Sequence, residues 1–132
     1  MIPEKIEEVR ARFIADLEEQ IWKKECNAAF DESRIPLIRD EREKAIDEVV
    51  KLAKEGKSVE DKAFVEKDNT KETRMKIKKL KNDINKANEL ADNCEATMAA
   101  IANSVKTARM EADGLKKRIE FAKTYGNETN KN

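Results

Sequence analysis

Residues 77–122 read IKKLKNDINKANELADNCEATMAAIANSVKTARMEADGLKKRIEFA, and this stretch decides the fold. From Ile77, alternate steps of three and four land on Leu80, Ile84, Ala87, Ala91, Cys94, Met98, Ile101, Val105, Ala108, Ala112, Leu115, Ile119 and Ala122, fourteen apolar positions in a row. An apolar repeat of 3.5 residues is the heptad signature of a helix that presents one seam to a partner helix. At about 1.5 Å per residue the seam extends on the order of 70 Å, longer than a compact domain of this size is wide. Five of the fourteen residues are alanine, which lets backbones approach but buries little area at about 25 cal/mol per Å². The seam therefore needs a partner, and Ala99, Ala100 and Ala102 beside it suggest a place where more than one helix packs.

Working back towards the N-terminus, Pro3 with Glu4, Glu7 and Glu8 reads as a helix start, because proline is tolerated in a first turn and acids complement the helix dipole. Ile6, Val9, Phe13, Leu17, Ile21 and Ala28 advance by three, four or seven, with Ile14, Trp22 and Phe30 widening their face; Phe13 and Trp22 are expected as core anchors. Pro36 removes a backbone donor and clashes with the preceding turn, so a break or kink is expected near residues 32–34. The periodicity resumes through Leu37, Ile38, Ala45, Ile46, Val49, Leu52 and Ala53. Gly56 offers a left-handed cap and Ser58 with Asp61 an approximate capping box, which predicts the turn at 56–58. A second weak point is Lys67-Asp68-Asn69-Thr70, where Asn69 or Thr70 could cap a new helix.

These readings predict an all-α chain: an elongated antiparallel helical hairpin, or coiled coil, forming a single domain over residues 1–126. Arm one would span 3–55, the turn 56–58 and arm two 59–125; a break at Pro36 would make three helices in total. Residues 127–132, polar and preceded by Gly126, are expected as a disordered tail. In this register arm two outruns arm one and leaves Ala112, Leu115, Ile119, Phe121, Ala122 and Tyr125 without a partner inside the chain. That overhang is the candidate interface for a second copy or another protein.

Charge organises the two arms. The chain holds 28 basic and 28 acidic residues, yet residues 1–70 carry 14 basic and 19 acidic (net −5) and residues 71–132 carry 14 and 9 (net +5). Opposite arms favour pairing with each other. In the expected register Lys71, Arg74, Lys76, Lys78, Lys79 and Lys81 would lie near Asp31, Glu32, Asp40, Glu41 and Glu43. Two basic patches could track phosphate: Lys71, Arg74, Lys78 and Lys81 on one helix face, and Lys116, Lys117, Arg118 and Lys123 at the tip, which no acidic arm would reach. Aromatic residues for base stacking are missing from the run 71–86, so a solvated face is the preferred reading there, and the tip patch could matter more.

The chain has no histidine, and its two cysteines, Cys26 and Cys94, lack metal-ligand spacing; no metal and no cofactor is expected. Paired acids such as Glu7/Glu8, Glu18/Glu19 and Asp47/Glu48 sit side by side on helices rather than converging, so catalytic residues are not expected either. Met75, Met98 and Met110 read as packing residues. Met1 to Arg12 lacks a signal-like apolar core, and no stretch approaches the roughly 18 apolar residues of a membrane span, so a cytoplasmic protein without membrane association is expected. The functional expectation is a non-enzymatic protein–protein interaction module, such as a scaffold, adaptor or small inhibitor, that forms a homo-oligomer or binds another protein. The alternative is a helical nucleic-acid-associated protein using the basic face at 71–86 and the tip at 116–123.

Overall fold

The structure, a computed structural model, describes the backbone of residues 3–130 and the side chains of residues 5–124. It contains two helices, α1 (Pro3–Val65) and α2 (Lys71–Asn130), packed against each other as a helical hairpin, with no strand among the described residues.

Burial recurs along both helices with the heptad period. On α2 none of the fourteen predicted seam positions is exposed: Leu80, Ala91, Cys94, Ile101, Val105, Ala112, Leu115 and Ile119 are buried and the others half-buried. On α1 the seam runs Arg10, Ile14, Leu17, Ile21, Lys24, Ala28, Asp31, Ile35, Ile38, Arg42, Ala45, Val49, Leu52, Gly56, Val59 and Ala63, all buried or half-buried. The small residues of α2 thus face a seam whose larger members include Arg10, Lys24, Asp31 and Arg42. Such charged seam positions cost stability but penalise alternative pairings. Arg42 shows the cost: its Nε is buried with no hydrogen-bond partner, and its guanidinium reaches only to 3.9 Å from Glu95.

Three expectations are corrected here. The turn is not at 56–58, because α1 continues to Val65 and the chain reverses at residues 66–70. Gly56 occupies a seam position with a negative φ, and ending the helix there would strip Val59 and Ala63 from the same seam. Nor does Pro36 divide the first arm: it lies inside α1, between the in-phase seam residues Ile35 and Ile38, so packing on both sides holds the helix through the lost hydrogen bond. There are two helices rather than three. Helix α2 runs to Asn130, so of the expected tail 127–132 only residues 131–132 fall outside the described residues.

The turn is built by local chemistry. Asp68 N–H donates to the Ala63 carbonyl (2.8 Å) and Lys67 N–H to that of Phe64 (3.2 Å), the paired bonds of a Schellman cap, with Lys67 in the left-handed conformation at φ 52°. Thr70 then caps α2: its Oγ1 accepts from Thr73 N–H (3.3 Å) and its carbonyl from Arg74 N–H (3.1 Å). Asp68 braces both ends, accepting from Thr70 N–H (3.0 Å) and from the Thr73 hydroxyl (2.7 Å). Those hydrogen bonds, Thr73 first and then Thr70, hold the Asp68 carboxyl below its ordinary pKa.

The chain divides into two compact units. The terminal unit joins Met1–Arg34 to Ile101–Asn132, and the turn unit is Ile35–Ala100. In the terminal unit Leu17 and Ile21 of α1 and Ala112, Leu115 and Ile119 of α2 form a core cluster, with Ile14 packed against it. Among the described residues no helix is long and apolar enough to cross a membrane.

Candidate interaction surface

With the seam at heptad positions a and d, each helix has an e flank and a g flank beside it. In the terminal unit the e flank is a ladder of opposite charges. Lys116 Nζ lies 2.7 Å from Glu25 Oε1, and the Arg109 guanidinium forks onto the Glu32 carboxylate (Nη2 to Oε2, 2.7 Å). One heptad further on, Glu18 and Lys123 hold the equivalent positions. Glu25 raises the pKa of Lys116, through its hydrogen bond first and its charge second. Lys81 and Glu60 continue the scheme in the turn unit at 3.7 Å.

The other flank is different. In the terminal unit the g positions of α1 are Ile6, Phe13, Gln20, Asn27 and Arg34, uncharged up to the last, where Arg34 lies 3.9 Å from Asp31. The large apolar side chains that stay exposed in this unit gather there: Ile6 (43% exposed) and Phe13 (50%) at g, and Val9 (56%), Phe30 (67%) and Phe121 (66%) at the neighbouring c position. Among the described residues of the unit only Trp22 and Met110 are large, apolar and exposed elsewhere. In the turn unit Leu37 and Val65 at c and Leu90 at g fall on the corresponding flank, while Ile46, Val50, Phe64 and Met75 face elsewhere. Alongside the apolar residues, α2 contributes two adjoining concavities that share Glu111. One is lined by Ser104, Thr107 and Ala108; the other lies at Gly114, Leu115 and Arg118, with Lys24 of α1. Lys24 is ion-paired with Glu111.

The expected overhang does not exist, because moving the turn to 66–70 brings the arms to nearly equal length. Ala112, Leu115 and Ile119 are buried in the core cluster of the terminal unit rather than free for a partner. Ala122 is half-buried, Phe121 is exposed, and the side chain of Tyr125 lies outside the described residues. The same shift removes the expected proximity of 71–81 to 31–43: the partner of Lys81 is Glu60, and that of Arg109 is Glu32. An acidic arm does reach the tip, since Glu25 engages Lys116; Lys117, Arg118 and Lys123 are exposed, as are Lys71, Arg74, Lys78 and Lys81 at the start of α2. Phe13 and Trp22 are not core anchors, with Trp22 65% exposed, and Met75 and Met110 lie on the surface while Met98 is half-buried. Cys26 is exposed and Cys94 buried, both as free thiols.

The apolar g/c flank is present in the sequence, but its spacing disguises it. Ile6, Val9 and Phe13 each fall one residue before a position in phase with Ile14, Leu17 and Ile21, so the single face expected on α1 is two adjacent stripes, one buried and one exposed. Among the described residues no three His, Cys, Asp or Glu side chains converge to hold a metal ion. Compared with known proteins, the chain matches no family model, no curated protein and no solved structure.

Proposed function

We propose that this chain is a non-enzymatic coiled-coil interaction module of the cytoplasm, a scaffold, adaptor or small inhibitor that works by presenting its helical surface to other protein chains, itself included. The observation that carries this reading is the gathering of Ile6, Val9, Phe13, Phe30 and Phe121 on one flank of the terminal unit while the opposite flank is closed by ion pairs. A two-helix coil closed on both sides by charge would be complete in water; an apolar stripe along one flank is a surface suited to further helices. Two free cysteines, one of them exposed, fit a reducing compartment.

The nucleic-acid reading has less support. In one patch Lys81 is engaged by Glu60 and in the other Lys116 by Glu25, and the face at 71–86 carries no aromatic residue for base stacking, although Phe121 is exposed within the tip. The experiment is the triple variant Val9→Ser, Phe13→Ser, Phe30→Ser of the full chain, compared with the parent by thermal melting and by chemical cross-linking. The proposal expects a melting temperature within about 2 °C of the parent and loss of cross-linked protein adducts. A fall of several degrees would mean that these side chains hold the hairpin together, and would overturn it.

A further inference from the structure

The exposed flank of the terminal unit has a charge order that fits one occupant. On α2, Glu111 and Arg118 stand at successive g positions, one heptad apart and opposite in sign. On α1, Asp16 and Lys23 stand at successive c positions on the same flank, again one heptad apart and opposite in sign. The midpoint of the first pair falls at Gly114 and Leu115, and that of the second at Glu19 and Gln20. Both midpoints lie at the level of the Leu17, Ile21, Leu115 and Ile119 cluster. Two opposite charges placed symmetrically about one level complement themselves when a second copy is turned end for end about that level, which is the condition an isologous two-fold contact must meet.

We propose, building on the function proposed above, that the flank is covered by the same flank of a second copy, giving an antiparallel four-helix arrangement with its two-fold axis at Gly114. Arg118 of one copy then faces the Lys24–Glu111 pair of the other, and Asp16 faces Lys23. The same operation carries Val9 onto Phe30 and Phe30 onto Val9, so two exposed apolar side chains become each other's partner twice over. It carries Phe121 to the level of Ala108, where Ser104, Thr107 and Ala108 line a concavity of small residues. At the axis itself Gly114 offers no side chain, and a Cβ built there meets no atom of its own chain within 4 Å, so two α2 backbones have room to cross closely. Arg118 makes no ion pair among the described residues, which leaves its charge for this contact.

The test uses charge reversal on the full chain, read by sedimentation equilibrium with circular dichroism as the folding control. Arg118→Glu sets two carboxylates against each other across the axis, and Glu111→Arg sets two guanidinium groups against each other. Each alone should weaken the dimer about tenfold or more, because the contact is repeated by symmetry. Mixed in equal amounts, the two variants have complementary charges at both contacts and should recover heterodimers of near-parental affinity. Two helical variants that stay monomeric when mixed would overturn the proposal, as would single variants that dimerise as tightly as the parent. If Glu111→Arg fails to fold, Phe30→Glu replaces it: the dimer should be lost with helicity unchanged, and a retained dimer would overturn the proposal. A parent chain that is monomeric at all concentrations overturns the second copy as occupant. It leaves the broader function to the melting and cross-linking of the triple serine variant, so the two failures are distinguishable.

Discussion

Lys116 of α2 and Glu25 of α1 meet at 2.7 Å across the terminal unit, ninety-one positions apart in sequence. The pair fixes the register of this unit: the tip of α2 lies beside the first third of α1 instead of projecting past it. Lys116 has a raised pKa, so its contribution to stability is fully present below the pKa of the unfolded lysine and is lost as pH rises through the folded value. A double-mutant cycle with Glu25→Gln and Lys116→Gln should show a small coupling at pH 7 that disappears in 1 M salt and above the folded lysine's pKa. A coupling that persists unchanged in 1 M salt would contradict an ion pair at this position.

Gly56 separates the two possible turns. Inside α1, with negative φ and no atom within 4 Å of a built Cβ, it should accept a side chain at no steric cost. Gly56→Ala should therefore stabilise the hairpin by about 0.5–1 kcal/mol in urea unfolding. At a left-handed cap in a 56–58 turn the same change would destabilise.

Asp68 is the acid-sensitive brace of the true turn. Its folded pKa is depressed by the Thr73 and Thr70 donors, so its contribution is present above the unfolded value and is lost as pH falls through the folded one. Asp68→Asn should lower the melting temperature at pH 7 and converge with the parent in strong acid, a comparison that a pH series of thermal melts makes directly. A difference independent of pH would contradict the assignment.

Leu115 is core rather than interface. Truncating a buried leucine costs about 2–5 kcal/mol, so Leu115→Ala should cut the unfolding midpoint sharply. If Leu115→Ala weakened association without loss of stability, the expected overhang would be restored and the present register refuted.

How far the sequence reveals the fold depends on which residues speak unambiguously. The seam of α2 is legible position by position, because fourteen apolar residues in strict phase leave one face to bury. The α1 seam is obscured: Arg10, Lys24, Asp31 and Arg42 interrupt it, while Phe13, Trp22 and Phe30, the bulkier side chains, lie outside it. Local signals also compete with the long pattern. Gly56 and Ser58 are good turn residues, but the seam carries the helix past them to Ala63, and Asp68 with Thr70 supplies a better-braced reversal. Pro36 does not stop α1 for the same reason. A turn placed too early then makes a buried cluster look like an overhang and hides the apolar flank beside it.

The measurement that tests the central claim most directly is the solution mass of the full chain by light scattering over a range of concentrations. Self-association through the terminal unit predicts a mass that rises with concentration to twice 15.1 kDa and stops there, since a two-fold contact closes. A mass fixed at 15.1 kDa at every concentration would contradict it.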